Sequence, residues 1–303
     1  MEGECSAKIV QKDTDFKKLV SKEDLSVNFI ANDNHNGFLE ARYVRRSDDY
    51  FIVYLSSQTG CMKSCRMCHL TATGQNKYLN STPNDFVEQA KTVLKHYDDQ
   101  KKSKLVHFNF MSRGEPLDNI HLTNDSSKIL QPLSNLAKDR GLDRKFLIST
   151  IMPDTIKNLE LTSIFNNEEL FPEIYYSIYS LNPIFRKKWL PRAIEPMLAL
   201  EKIKKWQDYS GKIPKIHFAF IENENDKEED VINMCNVINS FDLKVNFNIV
   251  KYNPYNEKYG RESSPEVIQK NVDIMKNILK PERYKIVPKV GFDVKASCGM
   301  FIE

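Results

Sequence analysis

The sequence predicts an α/β fold, a partial open barrel of about six βα units preceded by a small N-terminal β cap. Three observations predict it. From residue 82 onward, apolar runs of strand length alternate with patterns of helical period. Before residue 57 only short β-like runs occur, separated by charged turns. No repeat, low-complexity tract or linker divides the 303 residues, a length that suits one large α/β domain. The cap is therefore placed at 1–56 and the barrel at 57–303.

The cap runs are 27–31, 38–44 and 50–55, with Arg45-Arg46-Ser47-Asp48-Asp49 as one of the turns between them. The first barrel helix starts at Thr82 as cap, with Pro83 and Asp85 in its first turn, and runs to about residue 97. Strands are expected at 105–111, 145–150, 174–179, 213–221, 244–250 and 284–288. Helical patterns lie between them at 125–140, 154–165, 195–208, 226–240 and 265–280. In such a barrel, functional residues belong at the C-terminal ends of the strands.

Composition narrows the class further. Hydrophobic residues make up 41% and charged residues 28%, as in an ordinary globular protein. The net charge of +3, from 44 basic and 41 acidic residues, neither demands nor excludes nucleic acid; what matters is whether basic residues gather on one face. Candidate basic groups are Arg42, Arg45 and Arg46; Lys101, Lys102 and Lys104; and Arg186, Lys187, Lys188 and Arg192, with Trp189 among the last as a stacking surface for a splayed base. No apolar run has the length of a membrane span, and the first residues lack the apolar core of a secretory signal, so a cytoplasmic protein is expected.

Three of the six cysteines, Cys61, Cys65 and Cys68, fall within eight residues as C-x3-C-x2-C. In a reducing compartment this clustering reads as metal binding. Three thiolates on one loop can hold three irons of a 4Fe–4S cubane and leave the fourth iron open. An open iron can chelate the amino and carboxylate groups of S-adenosylmethionine (SAM) and pass it the electron that cleaves its sulfonium. The competing reading is zinc, with His69 or a distant cysteine as fourth ligand. About 45 residues on, Gly114-Glu115-Pro116 closes the predicted strand at 105–111, where carbonyls and a carboxylate can meet a cationic amine. Cys235 lies on an apolar helical stripe and reads as core.

Together these motifs resemble the RlmN/Cfr family of radical SAM RNA methyltransferases, over roughly residues 37–301. The resemblance continues through Ser149-Thr150, Ser177-Ile178-Tyr179, Arg186 to Pro191, Asn225-Asp226, Asn253-Pro254, Tyr259-Gly260-Arg261 and the terminal segment Gly291 to Gly299. It implies a radical SAM barrel, with Gly114, Glu115, Ser149, Ser177, Tyr179 and Asn253 in contact with SAM. Glu40 would be the general base, and Cys298 would carry the methyl group. In the implied chemistry one SAM methylates Cys298. A 5′-deoxyadenosyl radical from a second SAM activates that methyl group for addition to a ring carbon of adenine. The family's second cysteine, seven residues before the first cluster cysteine, is Tyr54 here, and Cys5 is the spare thiol. The family's N-terminal RNA-docking domain is largely missing. Expected partners are a transfer or ribosomal RNA and a flavodoxin- or ferredoxin-type electron donor, with a monomeric enzyme. The alternatives are a radical SAM enzyme of a different reaction and an RNA-binding relative without turnover.

Overall fold

The computed structural model describes residues 16–33 and 37–303, so Cys5 lies outside the described residues. Ten strands form one sheet in chain order: β1 (Lys17–Val20), β2 (Val27–Asn32), β3 (Phe38–Arg45), β4 (Tyr50–Tyr54), β5 (Leu105–Phe110), β6 (Asp143–Thr150), β7 (Glu173–Tyr176), β8 (Lys215–Phe218), β9 (Asn246–Val250) and β10 (Tyr284–Val287). Pairing is antiparallel from β1 to β4 and parallel from β4 to β10. β4 therefore ends the cap and opens the barrel. Six crossovers link β4 to β10, and β1 and β10 stand at opposite ends of the strand order, so the barrel stays open.

The crossover helices follow the expected pattern with small shifts: Pro83–Asp98, Ser127–Lys138, Pro196–Ser210, Glu228–Ser240 and Pro265–Leu279. The single helix expected over 154–165 is instead a 3-10 turn, Asp154–Ile156, followed by the short helix Leu161–Ile164. The buried Ile156 and Leu161 are five residues apart, which one helical face does not accommodate. Several elements escaped the reading, β1 and the helix Pro183–Trp189 among them. β1 is an edge strand with no apolar alternation to announce it. The helix Pro183–Trp189 is set by Asn182, whose side chain accepts from Ile184 N (2.8 Å) and Phe185 N (3.4 Å), with proline in the first turn.

Alternation along each strand divides two environments. On β4 and β5, Phe51, Val53, Val106 and Phe108 are fully buried in the main apolar core, with Phe86, Val93 and Leu94 of the first helix. Tyr50, Ile52, Tyr54, His107 and Asn109 line the barrel lumen. Cys235 is fully buried in the core, as its stripe predicts. The Pro83–Asp98 helix starts with a capping box. Asp85 N donates to Thr82 Oγ1 (3.3 Å), and Thr82 N donates to Asp85 Oδ2 (2.8 Å). Thr82→Ala should cost about 1 kcal/mol of stability, read as a lowered urea midpoint with an unchanged slope.

Candidate cluster and cofactor site

Cys61, Cys65 and Cys68 lie in the loop after β4, at the C-terminal end of the parallel strands. Gly60 opens the loop where side chains do not fit: a Cβ there would lie 2.1 Å from Lys77 O. Lys63, nearly buried, pairs with Asp118 (2.9 Å) and Asp154 (3.1 Å). The Arg66 guanidinium sits over the rings of Trp189 (5.5 Å) and Tyr259 (5.3 Å), and Arg66 N donates to Trp189 O (3.0 Å). The loop is thus held between cysteines by two basic side chains, which no spacing rule had singled out.

Without metal the three thiols are held neutral. Burial pushes Cys61 up to about 12 and Cys68 up to about 11, and Cys65 is raised by burial and then by the charges of Cys61 and Cys68. The mutual effect marks the three as neighbours. Among the described residues, no three His, Cys, Asp or Glu side chains converge as ligands of a single ion. Mononuclear zinc needs four donors on one point, whereas the cysteines of a cubane each bind a different iron.

Around the loop, the remaining residues that the resemblance names come together. Gly114 has φ +89°, and a Cβ there would lie 2.6 Å from Gln58 Cβ and 2.7 Å from Gln58 N, so only glycine fits. Next to it the Glu115 carboxylate is buried. It accepts from Leu117 N (3.2 Å) and Ile151 N (3.2 Å). Burial outweighs these bonds and raises it to about 7, as expected of a buried carboxylate that lacks a cation. Ser149 Oγ lies 3.3 Å from Asn109 Oδ1, and Ser177 N donates to Thr150 O (2.9 Å). Tyr179 is not in the strand expected over 174–179: β7 ends at Tyr176 and Tyr179 has φ +54°. Asn225 holds this bend by donating from Nδ2 to Tyr179 O (3.0 Å). Asn253 Oδ1 is buried with no hydrogen-bond partner, an acceptor free for a ligand.

Cys298 is half-buried and reaches the site on the C-terminal segment. Asn253 Nδ2 donates to Cys298 O (3.0 Å), and His69 N, one residue past Cys68, donates to Gly299 O (2.9 Å). Burial raises the Cys298 thiol, while the charges of Arg42 and Arg46 pull it back down. Glu40, by contrast, is fully enclosed. Its Oε1 accepts from Arg113 Nη1 (2.7 Å) and Ile302 N (3.1 Å); its Oε2 accepts from Arg42 Nη2 (2.9 Å) and Asn28 Nδ2 (2.9 Å). Burial raises its pKa, but Arg42, Arg113 and Asn28 together outweigh that and hold it below the ordinary carboxylate value. Four donors leave this carboxylate no open lone pair toward a substrate.

The basic groups read as candidate nucleic-acid faces turn inward in part. Arg42 is buried against Glu40, and Arg46 lines the lumen. Arg186 is buried, donating to Ile178 O (3.1 Å) and Ile194 O (2.7 Å). Trp189 is buried too, and its Nε1 donates to Glu224 Oε2 (2.8 Å), so it offers no stacking surface. Lys101, Lys102, Lys104, Lys187 and Arg192 are exposed. No helix among the described residues is long and apolar enough to cross a membrane.

No family profile matches the chain. In fold it is similar to a radical SAM methyltransferase from Sphaerobacter thermophilus, with a TM-score of 0.77 and 17% identity over 94% of this chain and 81% of that one. The likeness is one of fold, an open α/β partial barrel. In sequence it is 26% identical to a probable dual-specificity RNA methyltransferase RlmN of Prochlorococcus marinus (strain NATL1A), over 84% of this chain and 67% of the relative. It is also 26% identical to the dual-specificity RNA methyltransferase RlmN of Aliarcobacter butzleri (strain RM4018), over 85% of this chain and 68% of that one. The chain spans about two thirds of these relatives' length.

Glu40→Gln strands Arg113 in the interior and should cost about 3–5 kcal/mol at neutral pH. Because the Glu40 pKa is lowered on folding, its contribution is present above the ordinary value of 4.5 and is lost as pH falls through the lowered one. The gap between wild type and variant in urea midpoints should therefore narrow below that pH. Gly114→Ala should fold but lose affinity for SAM by at least tenfold, since its Cβ meets main chain; equilibrium dialysis of the cluster-loaded protein reads it.

Proposed function

We propose that this chain is a radical SAM RNA methyltransferase. Cys61, Cys65 and Cys68 would hold a 4Fe–4S cluster, and SAM would bind beside them. When bound, the cluster supplies the electron that cleaves the SAM sulfonium. The protein's own groups do the rest. Glu115 accepts the ligand's cationic amine, a charge that its buried carboxylate lacks. Gly114 lets the backbone approach, and Asn253 Oδ1 accepts a further ligand proton. Ser149, Ser177 and the bent Tyr179 close the far wall. Cys298 stands as the methyl carrier for an adenine of transfer or ribosomal RNA.

The observation that carries this reading is the placement of Cys298. Two hydrogen bonds, His69 N to Gly299 O (2.9 Å) and Asn253 Nδ2 to Cys298 O (3.0 Å), set a terminal cysteine against the cluster loop. The reading also places the enzyme in the cytoplasm as a monomer, reduced by a flavodoxin- or ferredoxin-type protein.

One observation favours a second reading, radical SAM chemistry of another kind. The four donors on Glu40 leave it no capacity to take a ring proton. Two measurements separate the readings. Mass spectrometry of the Cys298 peptide from anaerobically expressed protein should show one added methyl or methylene group. Reconstituted enzyme with SAM, reductant and RNA should yield methyladenosine on digestion, and Cys298→Ala should yield none. An unmodified Cys298, with 5′-deoxyadenosine formed and no methylated purine, would leave the second reading in place. Iron analysis should give about four irons per chain in the wild type and a large loss in Cys65→Ala.

A further inference from the structure

The strands enclose a cavity of about 260 Å³ that runs through the barrel lumen and reaches Cys298 at one end. Its walls carry an unusual charge balance. Arg46, Lys215 and Arg283 line it, and no carboxylate does. Arg46 has no carboxylate partner among the described residues. Its Nη2 makes only a long contact with Tyr54 Oη (3.4 Å), and its buried Nε has no partner. Lys215 Nζ donates to Tyr175 Oη (2.8 Å) and lies 4.6 Å from the Tyr175 ring centroid. Glu173, the carboxylate that acts on Lys215, is itself paired with Lys145 at 2.7 Å.

His217 is the second signal. It is 5% exposed, lines the same cavity, and neither ring nitrogen has a hydrogen-bond partner. Burial, then the charges of Lys215 and Arg46, push it down to about 3, so it is a neutral imidazole with one donor and one acceptor unused. Buried polar groups are almost always paired, and two unpaired ones facing one cavity point to something that fills it. The Tyr175 ring lies 5.7 Å from the His217 ring, and Tyr54 is buried on the opposite wall. Aromatic rings and cations together suit a flat, anionic molecule.

We propose that the lumen is a binding site for a free organic phosphate of nucleoside-monophosphate size. Its phosphate lies between Arg46 and Lys215, with Arg283 at the exposed entrance, and its ring lies against Tyr54, Tyr175 and His217. A cavity of about 260 Å³ is at the lower end of small-molecule sites, so it takes one such molecule and not a stretch of polymer. Neither Glu115 nor a loop cysteine lines the cavity, which shares Asn253 and Cys298 with the proposed active site, and the proposal does not depend on the RNA methyltransferase reading.

The test is calorimetric titration of cluster-loaded protein, in the presence of SAM, with AMP, adenosine and inorganic phosphate. AMP should bind saturably, and adenosine and phosphate each at least roughly tenfold more weakly. Arg46→Gln and Lys215→Met should each weaken AMP roughly tenfold, with cluster content and SAM binding unchanged. Adenosine binding as tightly as AMP would overturn the phosphate site, and phosphate alone binding as tightly would overturn the ring contact. AMP that does not bind, or that both variants bind as well as wild type, would overturn the proposal as a whole. RNA methylation with no AMP binding would sink this site and leave the proposed function standing, and the reverse result would do the opposite.

Discussion

The site depends on one buried charge, the carboxylate of Glu40. Taking an ionised carboxylate out of water is costly unless it is paired and hydrogen-bonded. Here Arg113 and Arg42 pair with it at 2.7 and 2.9 Å, and both guanidinium groups are buried as well. Both arginines also donate to distant main chain. Arg113 reaches Thr59 O (3.1 Å), and Arg42 reaches Met300 O (2.7 Å). Gln75, bonded to Arg113, also donates to Ile302 O (3.0 Å). One network thus ties β3, the turn after β5, the segment beyond the cysteine loop and the C-terminal residues. Buried ion pairs are weak evidence of stability, but the cost of breaking one makes alternative placements of its members unfavourable. The C-terminal segment takes its position from this network and from the buried Val294, Ala296, Met300 and Phe301, and Cys298 takes its position from the segment.

Two backbone bends complete the enclosure at the strand ends. The turn at Gly114 brings main chain against Gln58 closely enough that any side chain would collide. The bend at Tyr179 holds a non-glycine residue at φ +54°, a cost that Asn225 offsets by bonding to both Tyr179 O (3.0 Å) and Ala219 O (3.1 Å). Both bends fall where parallel strands end and ligands are received. The lumen beneath them is polar for a simpler reason. With period two, every residue between those facing the helices must face inward, and on β5 these are His107 and Asn109.

Much of this was legible in the sequence. Central strands announce themselves as apolar runs, and the capping residues of the Pro83–Asp98 helix are local signals. The cysteine spacing is local too, so the loop could be read without knowing the fold. What could not be read was the direction of charged and aromatic side chains. Arg42, Arg46, Arg186 and Trp189 lie in basic stretches, and composition makes such stretches look like solvated faces. Alternation held part of the answer: Glu40 and Arg42 share a face of β3 opposite Leu39, Ala41 and Tyr43, and two opposite charges at i and i+2 on one strand face are placed to pair. The partner from across the sheet, Arg113, is seventy-three positions away and only the fold brings it in.

The same geometry gives four cysteines two electrostatic settings. Cys61, Cys65 and Cys68 are raised chiefly by burial, with the charges of neighbouring thiols adding to it. Cys298 is half-buried beside two guanidinium groups, Arg42 and Arg46, which oppose the effect of burial without reversing it. One of those arginines belongs to the Glu40 network and the other to the lumen. Cys298 differs from the loop cysteines in that both charges acting on it are cationic, and a cationic neighbourhood favours the thiolate, the nucleophilic form of a sulfur. Arg42 acts on Cys298 twice: it donates to Ser297 O (3.4 Å) and Met300 O (2.7 Å) on either side of it, and its charge opposes the effect of burial, whereas Arg46 acts by charge alone.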